Sequence, residues 1–477
     1  MKPSSIALFR QYLAAATASI SVIILGTTLA WPSPVLTKIE ETNEPMSLTT
    51  SEISWMVSFL YLGNLMSPMP AGMLMDRLGR KRSLSILSVI PLTSWTIIYF
   101  ANASYMLYIA RFLSGMWSGI VTTIAPMYLA EISEPRIRGA LSTFVQLMIN
   151  LGVVFEYIVG PSVSYHLLAV ISGAIPLIFV VTFWFIPESP YWLVMVGKKD
   201  EACRSLAWLR GYNSPDCVKE EMEIIEKNVI KEMCNKHTMK DLIATSGNRK
   251  ALIIVEMLAI LQRMSGISAL IAYTSTTLPP QGAGMLGRND CVIVMGMVWV
   301  ASVFIAMVLV DSWGRKPLLF GSSVGCGLAM FTAGLWFFLD TETDINVQPI
   351  YWLPFCSLLV YGLCFSIGLG PIPSTVQGEA FPTNIKGLAS GLTAVVTAGT
   401  SFIMNKIYHP LAEGVGMYIN YWVFSCACAV ATIFVITYVV ETKGKTLHEI
   451  QEKLNHKKIT VNSNGTRSTP DIITNSV

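Results

Sequence analysis

Arg263 and Gln262 stand in the middle of a long apolar run that begins just after Lys250, in the stretch LQRMSGISALIAY at 261–273. A charge inside a membrane span costs about 3 kcal/mol by insertion scales unless it meets a partner or a water-filled cavity. The neighbouring pair Ser265, Gly266 weakens the helix and frees backbone groups to bond something other than the next turn. Ser268 adds a hydroxyl. The chemistry these residue types permit is hydrogen bonding to a polar cargo, so the stretch reads as the lining of a polar path. The competing reading is that its polar groups only hold neighbouring helices together. Other ionisable groups lie in other apolar runs. Arg111 and Glu156 come at comparable depth by helix rise and are expected to form an intramembrane ion pair. A Glu156–Arg263 pair, or a proton-carrying Glu156, are the alternatives. Glu256 has no evident partner. No nucleophile–base set, phosphate loop or metal cluster stands out, so neither an enzyme nor a cofactor or metal is expected.

The elements that must position these groups are membrane helices. Soluble domains carry about 25% charged residues, whereas this chain of 477 residues has 13%, with 53% hydrophobic residues and a mean hydropathy of +0.54. Apolar runs of bilayer-crossing length fall near 11–31, 52–75, 84–101, 105–130, 140–160, 167–186, 251–278, 291–310, 318–339, 350–376, 387–408 and 416–440. About 20 residues suffice for each crossing. The first run is too long for a typical signal-peptide core and reads as an uncleaved span. Basic residues concentrate in alternate loops, at Arg77, Arg80, Lys81, Arg82, Arg136, Arg138, Arg315, Lys316, Lys386, Lys443 and Lys445. That asymmetry places both termini in the cytosol. The cysteines show no metal-ligand spacing and predict no disulfide framework. The net charge of +3 does not point to nucleic acid, and no such partner is expected.

The chain also repeats itself. DRLGRKR at 76–82 returns as DSWGRKP at 311–317, each after the second span of a six-span unit. Glu131, with Arg138 seven residues on, returns as Glu379 with Lys386 seven residues on. PESPYWL at 187–193 has a weaker echo in VETKGKTL at 440–447. Three signatures in the same order imply a duplicated unit. The reading is therefore an all-α membrane protein of twelve transmembrane helices in two six-helix repeats. It divides into an N-terminal half (1–187), an amphipathic helical linker on the cytosolic side (188–249), a C-terminal half (250–440) and a largely disordered cytosolic tail (441–477). The linker carries apolar residues at helical spacing: Leu206, Leu209, Met222, Ile225 and Val229. Two like halves suit a transporter whose site lies at their interface. Asp76, Arg80, Glu131, Arg138, Asp311, Arg315, Glu379 and Lys386 are expected to form a cytosolic charge network that shuts the inner gate in one state and breaks in the other.

DRLGRKR, RFLSGMWSG, PESPYWL, the Gln262 stretch, GLGPIP, GEAFPTNIKGLAS and ETKGKTLHEI resemble the sugar porters of the major facilitator superfamily over nearly the whole chain. The last segments look closest to insect-type facilitated trehalose transporters. The resemblance implies the major facilitator fold, alternating access and a small-molecule sugar as partner beside the lipid bilayer. It implies that Gln146 and Gln262 bind sugar and that Tyr273 lies at the outer gate. Gly370, Pro371, Ile372 and Pro373 must break or bend span ten, because each proline removes a backbone donor. Several positions depart from the family pattern: Arg263 for a second Gln, Ser268 for Asn, Trp299 for Asn or Gln, Ser374 for Trp, and Thr397 with Ala398 for an Asn-Trp pair. These are the expected site of this chain's own specificity, and Arg263 suits an anionic or larger polar cargo. Thr27 and Thr28 stand where proton-coupled relatives carry Asp. The reading is thus a facilitative uniporter of trehalose or a hexose, a monomer in the plasma membrane. The alternatives are a proton-coupled symporter and a transport-inactive sugar sensor. Neutralising Glu379 is expected to bias the protein toward the state open on the basic face, measured as faster cysteine labelling from that side; unchanged labelling would remove Glu379 from the gate.

Overall fold

The computed structural model describes residues 5–42, 46–134, 137–212, 214–234, 239–279, 282–284, 286–381, 383–443, 445 and 449. Span one is α1 (Ser5–Ala30) continued by α2 (Pro32–Thr42). Span two is α3 (Thr50–Met66) with α4 (Pro68–Leu78), and span three is α5 (Arg80–Leu87) with α6 (Val89–Tyr99). Spans four to six are α7 (Ser104–Ile132), α8 (Arg138–Ser162) and α9 (Tyr165–Phe183). The intervening stretch holds α10 (Pro190–Met195), α11 (Lys199–Leu209) and α12 (Lys219–Cys234). Span seven is α13 (Ser246–Met264) with α14 (Ile267–Thr277); spans eight and nine are α15 (Arg288–Trp313) and α16 (Arg315–Glu342). Span ten is α17 (Leu353–Ile367) with α18 (Ile372–Ala380), followed by α19 (Thr383–Gly414) and α20 (Met417–Thr437).

Among the described residues, ten stretches are long and apolar enough to cross a membrane. Spans two and three, each built of two shorter helices that follow one another directly, are not among them. In span two the split falls where Pro68, with no backbone N–H, opens α4 after Ser67. The sequence reading treated both spans as continuous. Span seven divides at Gly266, whose φ of 97° lies in the left-handed region that glycine enters without strain.

Packing repeats along with the sequence. In the first six spans, two packs on four, one on five, three on four and on six, and one on six; the corresponding pairs recur in the last six. Between the two sets, α3 packs on α19, α8 on α15 and α2 on α14. Leu206, Leu209, Met222, Ile225 and Val229 are all buried, as their spacing predicts.

The two turns of the DRLGRKR type have nearly the same geometry. Gly79 sits at φ 98° and Gly314 at φ 95°. Beyond each glycine a new helix starts with free N–H groups, and a distant carboxylate accepts them. Glu188 takes the N–H groups of Arg80 and Lys81 at 3.0 and 2.9 Å. Glu441 takes those of Arg315 and Lys316 at 3.0 and 2.9 Å. Side chains reinforce the clamps: Arg80 pairs with Glu131 at 2.9 Å and Asp76 at 3.6 Å, and Arg315 pairs with Glu379 at 2.9 Å.

These ion pairs of Glu131 and Glu379 run within a half, not between halves as a gating network would require in its closed state. Lys386 is exposed. The side chains of Arg138 and Asp311 lie outside the described residues, as do residues 450–477 of the expected disordered tail.

Burial alone would raise the Glu441 carboxyl, but the backbone N–H groups of Lys443, Arg315, Lys316 and Thr442 outweigh it and hold it below the usual carboxylate range. A carboxyl lowered on folding contributes stability above its unfolded pKa of about 4.3, and that contribution is lost as pH falls through the folded value. Glu441→Gln is therefore expected to lower stability by about 1–3 kcal/mol near neutral pH. The gap to the parent should narrow below about pH 4, as read by thermal unfolding in detergent; a gap that is constant with pH would refute the clamp's ionic character.

Candidate functional site

Spans seven, ten and eleven line an open cavity of about 200 Å³. Its existence starts from the broken span ten. The carbonyl of Leu369 would bond the N–H four residues on, but that residue is Pro373 and has none. Gln262 supplies the missing donor: its Nε2 reaches the carbonyls of Leu369 and Gly370 at 2.7 and 2.8 Å. Leu369 N in turn donates to Ser322 Oγ at 2.9 Å. The break is thereby held open without an unsatisfied backbone, and α18 begins at the cavity wall.

The cavity is polar and asymmetric in depth. Gln262, Arg263 and Thr397 line its deeper part, and Val255, Gln377 and Ser390 line the part nearer the basic face. Val255 lies eight residues before Arg263 on α13, about 12 Å at 1.5 Å per residue. Among the described residues Arg263 has no side-chain hydrogen bond and no ion pair, and its Nε is buried without a partner. Glu256, which had no evident partner in the sequence, accepts from Thr393 Oγ1 at 2.7 Å.

The opposite face is sealed. Ser33 and Ser275 share a 2.6 Å hydrogen bond between spans one and seven. Tyr157 donates to the carbonyl of Ile271 at 2.9 Å. Lys406 donates to Ser54 Oγ at 2.7 Å, and its Nζ lies 3.9 Å from the centre of the Trp55 ring. One apolar cluster runs across both halves here, from Trp31, Val35 and Tyr157 to Leu270 and Tyr273. A separate cluster, including Trp117, Phe179 and Phe183, fills the first half toward the basic face.

Residues 16–454 match the family model described as sugar (and other) transporter. The chain belongs to that family. The transporter is 32% identical to a facilitated trehalose transporter of Polypedilum vanderplanki over 454 residues, which is 94% of this chain and 88% of the relative. It is also 32% identical to the facilitated trehalose transporter of Culex quinquefasciatus, over 94% of this chain and 86% of the relative. It spans about half (52%) of the corresponding Drosophila mojavensis protein. Among solved structures, an inward-open conformation of the xylose transporter XylE from E. coli superposes with a TM-score of 0.77 at 22% identity, covering 93% of this chain and 99% of the other. XylE bound to 6-bromo-6-deoxy-D-glucose, described as a proton:xylose symporter of the major facilitator superfamily, gives 0.70 at 22% identity, over 93% and 99% of the two chains. These likenesses fix the fold: twelve spans, all helical, of the major facilitator type.

The transporter gathers some of the expected site residues and separates others. Gln262, Arg263 and Ser374 share the cavity. Ser268 does not reach it; it is buried, with its hydroxyl 3.1 Å from that of Ser401. Trp299 is packed against Gly362 and its carbonyl accepts from Asn150 at 3.3 Å. Gln146, on the exposed side of α8, donates to Asn150 at 3.2 Å. Tyr273 is fully buried under the seal, stacked on Tyr408 with ring centres 4.8 Å apart.

The expected Arg111–Glu156 ion pair is not formed. Arg111 donates to the carbonyl of Thr28 at 2.5 Å and lies over the Trp31 ring, while Glu156 accepts from Ser172 at 2.5 Å. The Glu156–Arg263 alternative is not formed either. Helix rise gives depth but not the direction a side chain takes around its helix.

Sequence reasoning also missed Glu188, Glu441, Lys406 and Gln377. The first two carried a signal in the weak PES and ETK echo; Lys406, a cation near the end of an apolar span, was visible but unassigned. Lys406→Ala is expected to loosen the seal by the 0.5–2 kcal/mol of a cation–π contact, about 3- to 30-fold in opening. The readout is thiol labelling of Leu278→Cys from the sealed face, with the native cysteines replaced; an unchanged rate would remove Lys406 from the seal.

Proposed function

We propose that the protein is a facilitative (uniport) sugar transporter that works by alternating access, with trehalose or a hexose as cargo. One observation carries the reading: a polar cavity leads from mid-depth toward the basic face while the halves share a sealed core at the other. A carrier caught open to one side has this form. The trehalose transporters among its relatives support the cargo class.

In this reading the basic face is cytosolic, both termini included, and the membrane is the plasma membrane. The halves are 1–187 and 250–440, the linker is 188–249, and the tail from 441 is anchored at its start by Glu441. The protein acts as a monomer. Gln262, Arg263 and Ser374 contact the cargo in the inward-facing state. Gln146, Ser268 and Trp299 join the path when the outer side opens, with Tyr273 at the outer gate. The charges at Asp76, Arg80, Glu131, Arg138, Asp311, Arg315, Glu379 and Lys386 fasten the cytosolic ends in the alternate state.

Uniport is favoured by span one. Thr27 and Thr28 are buried and donate to the carbonyls of Ile24 and Leu25 in their own helix, both at 2.8 Å. Neither is a proton carrier. Proton symport has one observation in its favour, the buried Glu156 without an ion pair. Uptake of labelled trehalose and glucose into liposomes decides between them. Flux down the sugar gradient is expected with or without a pH gradient and unaffected by uncoupler. Stimulation by a proton gradient would establish symport, and no uptake of any sugar would leave a sensor.

A further inference from the structure

We infer that the Arg263 cavity selects a hexose-sized sugar bearing one anionic group, a carboxylate or a phosphate, over neutral sugars. This rests on the transporter reading and names the cargo within it.

The inference comes from comparison with Arg80, Arg111, Arg210 and Arg315, which are buried or half-buried. Arg80, Arg210 and Arg315 each meet a carboxylate, from Glu131, Glu221 and Glu379. Arg111, which meets none within bonding reach, is settled by a backbone carbonyl and the face of Trp31. Arg263 has neither kind of partner. Among the described residues its guanidinium has no hydrogen-bond or ion-pair partner, and the titratable side chains that face it are the phenols of Tyr61 and Tyr361. Glu256, two turns earlier on the same helix, is turned to Thr393 instead. Among the described residues none that lines the cavity is acidic, and its other polar side chains are amides and hydroxyls: Gln262, Ser374, Gln377, Ser390, Thr393 and Thr397.

A fixed, unneutralised cation in a low-dielectric pocket favours an anion, and the guanidinium fork matches the two oxygens of a carboxylate or phosphate. The amides and hydroxyls suit the remaining hydroxyl groups of a sugar. Size narrows the class. The cavity's volume of about 200 Å³ is below the roughly 300–1,000 Å³ of pockets for drug-sized ligands. It fits one ring better than two.

The test uses the purified full-length protein. Binding of D-glucuronate, glucose 6-phosphate, glucose and trehalose is measured in detergent, and uptake of the same four is measured in liposomes. At least one anionic sugar is expected to bind 10-fold or more tightly than glucose, and which one leads assigns carboxylate or phosphate. Arg263→Gln, which restores an amide of similar reach, should remove the preference, and Arg263→Lys should keep part of it. Wild-type binding of glucose or trehalose as tight as that of both anions overturns the inference, as does binding of none of the four. An unaltered preference in a folded Arg263→Gln protein overturns it too. Uptake of neutral sugars without anion preference would leave the transporter reading standing and sink this one. Anion binding lost in Arg263→Gln but without uptake of any sugar would do the reverse.

Discussion

Every proline inside a bilayer helix leaves a carbonyl without its donor, and hydrocarbon offers no substitute. The transporter depends on how it answers that constraint. Pro32 leaves the carbonyl of Thr28 unpaired, and Arg111 from span four fills the gap at 2.5 Å. Pro373 leaves that of Leu369, and Gln262 from span seven fills it at 2.7 Å. In each half, then, a long polar side chain crosses from a neighbouring span to make a helix break tolerable. The interruptions that let spans one and ten change direction are also the places where spans are tied together.

The ends facing the basic side obey the same logic with charge added. Glu188 and Glu441 close the N-termini left open by the Gly79 and Gly314 turns, and Arg80 and Arg315 bring in Glu131 and Glu379. Spans two, three, four and the exit of span six become one unit, as do eight, nine, ten and the exit of span twelve. Units tied this firmly at their ends favour movement between halves over movement within them. The contacts between halves are of a different kind: beside a shared apolar cluster they include the Ser33–Ser275 pair, Tyr157 on the Ile271 carbonyl, Asn150 on the Trp299 carbonyl, and Lys406 on Ser54 and over the Trp55 indole. None of these is an ion pair, and single hydrogen bonds and cation–π contacts are the sort that can break and reform within a transport cycle.

How much of this was legible in the sequence follows from which physical signals are local. Hydropathy placed the spans, since membrane crossing is a property of about 20 consecutive residues. The repeat was legible because both halves answer one problem with one motif. The breaks at Gly266 and in span ten were read from glycine and proline; the one before Pro68 carried the same proline signal and was not read, while the one at Ser88 carried none, because serine does not oppose helix by itself. The charges at Arg80 and Arg315 were named, but their pairing with a carboxylate of their own half in this state was not. A side chain's partner depends on its angle around the helix, which depth alone does not give. That is why Arg111 met Thr28 and Glu156 met Ser172, and why Ser268 faces Ser401 rather than the cavity.

Adjacent residues of span seven therefore carry unlike roles. Gln262 is committed to the protein: its amide nitrogen holds the broken span ten, and only its oxygen remains for a cargo. Arg263, one residue on, is committed to nothing in the protein. A cargo that engages Arg263 acts on the helix that holds the span-ten break, one residue from the clamp itself. The cargo-facing group and the group that holds the break thus lie within a single turn of α13. Beyond that turn the helix reaches Ser265 and Gly266, where it changes direction, and then Ser275, which meets Ser33 in the seal. The path from cargo to seal runs along one interrupted helix, and the interruption at Gly266 is where that helix can bend without losing a backbone hydrogen bond that nothing else would replace.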